Sequence, residues 1–307
     1  MALTYTRNDL IARAMRLTGR FAAGEPLSAD TIHDVALTLN LMLKEWQTYG
    51  WYLWLEEEAT CFFADGQYEY TIGSAASDDN ATLSHVKTEI YSAASAAQTS
   101  IVLDSTSGMT AGDYIGIEEE SNYLQWTTIG SVDTASQVTL ASGLTYSTVV
   151  DNHVYAYTTK MQRPLAVRNA RLEYEDQHEV TLQTLSRDEW FDLADKTTEG
   201  VPVNIYWNPK KSSGKFYVWP RPSTVKHRLR FTACMPFTEF TSATQAPDFP
   251  EEWYDALTWC LAAEVAPEFG VAMDRITYLE TKAMDKKMRL QVWDQEDAPV
   301  RFVMDME

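Results

Sequence analysis

The sequence changes its apolar period twice. Residues up to about 58 carry apolar positions at helical spacing, residues 59 to about 240 read as short strands cut by turn residues, and helical spacing returns from about 247. A two-helix hairpin buries too little apolar surface to stand alone, so the two helix pairs must share one core, and the β stretch between them is an insertion. The fold class that follows is α+β. A discontinuous four-helix, bundle-like domain is expected from residues 1–58 and 247–295, with a large antiparallel β domain, 59–83 and 159–246, inserted in it.

Local signals place the helices. Thr6-Arg-Asn-Asp9 has the form of a capping box and is followed by Leu10, Ala14 and Leu17 up to Gly19. Ser28 or Asp30 starts a second helix with the stripe Ile32, Val35, Ala36, Leu39, Met42, Leu43 and Trp46, and Gly50 suits its C-terminal end. Trp51, Tyr52 and Trp54 follow at once. With Trp46 they are expected to pack where the bundle hands over to the β insertion, and Glu56-Glu57-Glu58 marks the return to solvent. In the C-terminal pair, Asp248 and Glu251 form a second box with Pro250 in the first turn, ahead of Trp253, Ala256, Leu257, Cys260 and Leu261. A last helix, roughly 271–293, carries Met273, Ile276, Leu279, Ala283 and Leu290 on one face. Pro299 breaks any continuation, leaving 296–307 as an extended C-terminal arm.

Within the β stretch, CFFADGQYEYTIG reads as a hairpin about Asp65-Gly66, and MQRPLAVRNARLEY as a strand pair. NIYWNP and KFYVWP read as a hairpin across Lys210-Lys-Ser-Ser-Gly214, and Ser186 with Glu189 starts a short helix. Residues 84–158 stand apart as a nested sandwich or barrel, with TSIVLD, DYIGIEE, NYLQWTTIGSV, SQVTLA and HVYAYT as its strands. This module holds eight acids against one base, Lys87.

Charge and composition exclude several classes. The net charge is −19, which repels a phosphate backbone and argues against sequence-specific nucleic-acid binding, while it suits solubility or a surface past which DNA slides. Three dispersed cysteines, never in CxxC spacing, argue against a disulfide framework and against zinc, and fit a reducing compartment. No apolar signal region follows Met1 and no run is long enough for a membrane span, so neither secretion by that route nor membrane insertion is expected. The five histidines form no HxxxH or HExxH pattern, Asp78-Asp79-Asn80 lacks calcium-loop spacing, and neither GxSxG nor GxGxxG occurs. Gly214-Lys215 lacks the upstream glycine of a phosphate-binding loop, which here is Pro209. Neither cofactor nor catalytic centre is expected.

Two features stay open to a binding reading. Arg13, Arg16 and Arg20 lie on one face of the first helix, as a solvated basic face or as a contact with an acidic neighbour. Tyr206, Trp207, Phe216, Tyr217 and Trp219 alternate on the aromatic hairpin, as cross-strand packing or as a sugar-stacking platform.

The segments DLIARAMRLTG and LTLNLMLKEWQTYGWYLW resemble the N-terminal helical pair of the head-to-tail connector (adaptor, or tail-tubular A-like) proteins of short-tailed bacteriophages. FPEEWYDALTWCLAAEVAPEFG is similar to their returning helix. MQRPLAVRNARL, SRDEWFDLADKTTEGVPVNIYWNP and GKFYVWPRP resemble the β insertion of related phage proteins; the module at 84–158 departs from the minimal pattern. The resemblance implies a structural virion protein, not an enzyme. It implies a ring, usually of twelve copies, below the portal at the capsid–tail junction, extending the DNA channel and offering a docking surface to tail nozzle or tail fibre proteins. Arg13, Arg16 and Arg20, and the arm residues Val300, Arg301, Phe302, Val303 and Met304, are then the candidate contacts with portal or neighbouring subunit. The rival reading is a carbohydrate-binding or cell-wall-degrading tail protein, motivated by the aromatic hairpin and the abundant carboxylates.

Overall fold

The computed structural model describes residues 5–22, 24–49 and 53–293. The chain runs α1 (Arg7–Leu17), α2 (Ala29–Trp46), β1 (Glu56–Phe62), β2 (Glu69–Ile72), β3 (Ala81–Thr82), β4 (Val86–Ser92), β5 (Ser100–Leu103) and β6 (Tyr114–Glu119). It continues with β7 (Tyr123–Thr134), β8 (Gln137–Leu140), β9 (His153–Tyr157), β10 (Ala166–Glu173), β11 (Glu179–Thr181), β12 (Gln183–Thr184), α3 (Arg187–Asp192) and β13 (Glu199–Gly200). Last come β14 (Asn204–Asn208), β15 (Gly214–Trp219), β16 (Arg221–Pro222), β17 (Arg228–Cys234), α4 (Trp253–Val265) and α5 (Met273–Trp293). The protein is thus mixed α+β with a large β part. It divides into two compact units, Met1–Leu55 with Pro236–Glu307, and Glu56–Met235.

The first unit is helical. Thr6 and Asp9 close the expected capping box of α1, and the Ser28 hydroxyl accepts from the Thr31 amide to start α2. α4 packs against α1, α2 and α5. Its buried residues, from Trp253 through Val265, lie all round its axis, as expected of a helix enclosed by others. α4 does not start as the sequence suggests: its N-cap is Glu252, with no side-chain capping bond, and the Asp248 carboxylate accepts from the Thr238 hydroxyl (2.8 Å). Residues 236–246, expected in the β domain, belong to this unit. The Asn40 amide clamps Phe240 by both backbone groups (3.2 and 3.0 Å), and the Arg7 amide donates to the Gln245 carbonyl (2.9 Å).

The second unit holds a five-stranded sheet (β11-β10-β17-β1-β3), a four-stranded sheet (β12-β14-β15-β2), the pair β13-β16, and a closed barrel in the order β4-β5-β8-β7-β6-β9. The barrel lies in sequence between β3 and β10, both strands of the five-stranded sheet. Its interior is filled by Ile90, Leu103, Ile115, Ile117, Val138 and Val154 among others, so it is a packed core. β9 is buried on both faces. Val154 and Ala156 point into the barrel, whereas Tyr155 and Tyr157 join Phe62 of β1, Leu124 and Val225 in a second cluster.

Two strand expectations are corrected. β1 and β2 do not pair across Asp65-Gly66 but enter different sheets, and MQRPLAVRNARLEY yields one strand, β10, which pairs with β17 and β11. The aromatic hairpin does form, with Trp207 opposite Phe216. Glu57 and Glu58 are exposed, as expected, but the triplet also starts β1, where Glu56 pairs with Arg168 (2.6 Å) and Glu58 with Arg171, both on β10.

Candidate functional site

Sequence-flagged residues fall into three groups. The aromatic hairpin is engaged throughout. Phe216 is fully buried, edge-on to Phe231 at 4.8 Å; Tyr206, Tyr217 and Trp190 form a mutual cluster (Tyr206–Tyr217 5.6 Å, Tyr206–Trp190 6.3 Å, Tyr217–Trp190 5.3 Å); and the Trp219 indole donates to the Asp195 carbonyl (2.8 Å). Trp207 covers Gly214 so closely that a Cβ there would lie 1.7 Å from the indole. These rings are cross-strand and inter-sheet packing. Three of the chain's carboxylates have structural partners: Glu189 closes the capping box of α3, and Glu56 and Glu58 pair with arginines. Burial pushes all three thiols up, Cys234 to about 11 and Cys260 to about 12, which keeps them protonated at neutral pH. Among the described residues no group of three or more His, Cys, Asp or Glu could hold a metal ion, and no helix is long and apolar enough to cross a membrane.

A second group was expected at a domain joint. Trp46 lies 6.0 Å from Trp253, and Trp54 lies 4.4 Å from Trp253 and 5.8 Å from both Phe237 and Phe249. All these partners belong to the first unit, so Trp46 and Trp54 are part of its aromatic core. Trp51 and Tyr52 lie outside the described residues.

The third group is the proposed contact set. Arg13 and Arg16 are exposed on α1, and neither forms an ion pair among the described residues. Arg20 is different. It lies past the end of α1, and its guanidinium donates to the carbonyls of Phe269 (2.9 Å) and Gly270 (2.7 Å) in the turn after α4; Arg275 returns the favour to the Leu17 carbonyl (2.7 Å) at the end of α1. Arg20 therefore ties helix ends together within the unit. Val300, Arg301, Phe302, Val303 and Met304 lie outside the described residues.

What the sequence did not single out is the solvent face of α5. Ile276, Leu279, Ala283 and Leu290 are buried, but Met273, expected with them, is 75 % exposed. Met273, Thr277, Thr281, Met284, Met288 and Val292 are all exposed and recur at helical spacing. At roughly 100° per residue they fall in one arc of about 100°, some 28 Å long. None of the six is charged, and Asp274 stands at the edge of the same arc. The Thr277 and Thr281 hydroxyls donate to the carbonyls one turn back, of Met273 (3.0 Å) and Thr277 (2.8 Å), so these threonines present mainly their methyl groups. Met284 is 64 % and Val292 74 % exposed. The borders carry both signs: Asp274 and Asp285, then Arg289, Lys282 and Arg275, follow on one side, Arg289 paired with Asp285 (3.2 Å), and Glu280 and Lys287 lie on the other. On α2, Leu37 and Leu41, one turn apart, are also exposed, 57 % and 62 %, beside Asp30 and Asp34.

The second unit buries a few charged groups, among them Glu118, Glu173 and Arg228. Arg228, only 2 % exposed, makes two bonds to Glu173 (3.2 and 2.8 Å), donates to the Tyr155 hydroxyl and lies 4.9 Å from the centre of that ring. His153 stands 3.3 Å from Glu118 and 3.6 Å from Glu89, and Lys226 bridges Glu118 (3.5 Å) and Glu175 (2.8 Å). This network fastens barrel strands to the five-stranded sheet. No protein-family model matches the chain, and no curated protein matches it.

Proposed function

We propose that this protein is a structural subunit of a bacteriophage virion, assembling as a ring below the portal to join capsid to tail and extend the DNA channel. The observation that carries the reading is the exposed row of Met273, Met284, Met288 and Val292 with Thr277 and Thr281 on α5, a length of mainly apolar helix surface that a monomer would leave in water. The sequence resemblance to head-to-tail connectors supplies the kind of assembly. In this reading α1, α2, α4 and α5 make one discontinuous four-helix bundle, the β domain is inserted in it, and the barrel is a further module nested in that insertion. The barrel's exposed acids, Asp104, Glu120, Asp133 and Asp151, and the overall charge of −19 suit a wall along which DNA moves without adhering. Portal and tail nozzle or tail fibre proteins are the partners, and the site of action is the capsid–tail junction.

Imaging the purified chain mixed with its portal tests this. Closed rings of the chain on one portal face are the expected result. A chain that remains dispersed and monomeric beside intact portals would sink the reading.

A further inference from the structure

The aromatic hairpin holds its rings in packing, whereas the barrel exposes a pair. Val86 and Ala156 face each other at the end where the chain enters and leaves the barrel. The β4–β5, β6–β7 and β8–β9 connections, residues 93–99, 120–122 and 141–152, lie at the other end. Tyr123 opens β7 there, opposite Glu119, and Tyr146 stands on the long β8–β9 connection. Both are exposed, 43 % and 44 %, and their rings, 5.7 Å apart and inclined at 81°, make an open corner. We infer that this end of the barrel binds a neutral saccharide, with one sugar ring resting against Tyr123 and Tyr146.

Three observations support it. The corner is fixed from beneath: the buried Glu119 carboxylate accepts from the amides of Thr145 (3.1 Å) and Tyr146 (2.8 Å), and the buried Gln125 accepts from the Thr145 amide and donates to the Gly143 carbonyl (2.9 Å). Beside Tyr123, the Asn122 side chain bonds the Ser223 carbonyl (3.0 Å) and the Val225 amide (3.1 Å). Burying a carboxylate is costly, and here it holds the backbone that carries one ring, so little freedom is left to lose on binding. The chemistry also suits a sugar, which offers C–H groups to an aromatic face and hydroxyls at its rim. Ser121, Thr145 and Ser147 flank the two rings in sequence, and Ser147 bonds Glu120. Charge narrows the class: the three connections carry the exposed Glu120 and Asp151 and no Lys, Arg or His, so a phosphorylated, sulfated or carboxylated ligand would meet only repulsion.

Saturation-transfer NMR on the full-length chain tests this, with cellohexaose, maltohexaose, N-acetylated chitohexaose and a heparin hexasaccharide as probes. At least one of the three neutral sugars should bind and receive more saturation from aromatic than from methyl protons, and heparin should not bind. Tyr123→Ala and Tyr146→Ala should each weaken that binding by about tenfold or more, whereas Tyr146→Phe, which keeps the ring, should change it by less than about threefold. Both side chains are exposed, so the variants should fold, which circular dichroism checks.

No binding of any neutral hexasaccharide would overturn the inference, as would binding undiminished in both alanine variants or a preference for heparin. Should an alanine variant fail to fold, saturation arriving mainly from methyl protons would still overturn it. If the neutral sugars fail and particles carrying Tyr146→Ala also fail to attach tails, the corner and the exposed Val149 and Val150 that follow it belong to a protein partner instead. None of these outcomes bears on the ring reading, which rests on α5.

Discussion

Arg228 and Glu173 face each other on neighbouring strands as a two-bond ion pair, closed over by the Tyr155 ring of the barrel. Burial by itself would raise the Glu173 carboxyl, but the Arg228 hydrogen bonds and charge outweigh it and hold the group below the usual carboxylate range. Removing Arg228 leaves the buried Glu173 with only the more distant Arg230 (3.8 Å). Arg228→Met is therefore expected to cost on the order of 3–5 kcal/mol, and Arg228→Met with Glu173→Leu distinctly less, because the paired replacement leaves no buried charge. Urea unfolding of the three proteins checks this; a double variant as unstable as the single one would refute it.

His85 predicts acid sensitivity in the same region. Burial, and then the charges of Arg228 and Arg230, lower its pKa from 6.5 to about 4, while its ring rests edge-on against Phe62 at 5.3 Å. A histidine depressed in the folded state contributes stability above its unfolded pKa, and that contribution is lost as pH falls from about 6.5 to about 4. The lost term is on the order of 3 kcal/mol at most. Glu173, also held low, adds to the loss in the acid range. Comparing urea midpoints at pH 7 and pH 4.5, His85→Gln should narrow the gap seen in the wild type. An unchanged gap would show that His85 is not part of the acid response.

The features legible in the sequence are those decided within a few residues. The Thr6–Asp9 box, the Ser28 cap and the hairpin of β14 and β15 need only local chemistry. Pairings that cross the chain were not legible: β1 lies beside β17, Glu56 opposite Cys234, and nothing near Asp65-Gly66 reports that. β4 was missed because Val86–Ser92 shows almost no alternation; of its seven residues only Ile90 is buried. The α5 stripe escaped for a deeper reason. Apolar periodicity marks a face that avoids water but not what covers it, and it does not separate Met273 from the core face of a helix that carries two apolar faces. Arg20 was grouped with Arg13 and Arg16 by spacing alone, and the helix ends before it.

The barrel should fold without the rest of the chain. Its entry and exit are adjacent, Val86 pairing with Ala156, and its interior core is self-contained. A peptide of residues 84–158 is expected to give dispersed amide resonances and one cooperative thermal transition, at lower temperature than in the full chain because Tyr155, Tyr157 and Leu124 lose Phe62 and Val225. A peptide with no cooperative transition would show that the barrel depends on the sheets for its fold.

Gly214 sets how closely β15 receives the Trp207 indole from β14. A Cβ at Gly214 would lie 1.7 Å from Trp207 Cη2 and 2.4 Å from Cζ2, so the ring or the strand must move, and the ring is already confined at 4.7 Å from Phe216. Gly214→Ala is expected to cost on the order of 1–3 kcal/mol as overpacking. The cause is steric, so shrinking the opposing side chain should relieve it: Trp207→Val costs stability by itself, but adding Gly214→Ala to it should cost well under 1 kcal/mol. Four urea curves complete the cycle. Equal costs for Gly214→Ala with and without Trp207 would place the need for glycine in the backbone and remove the indole from the explanation.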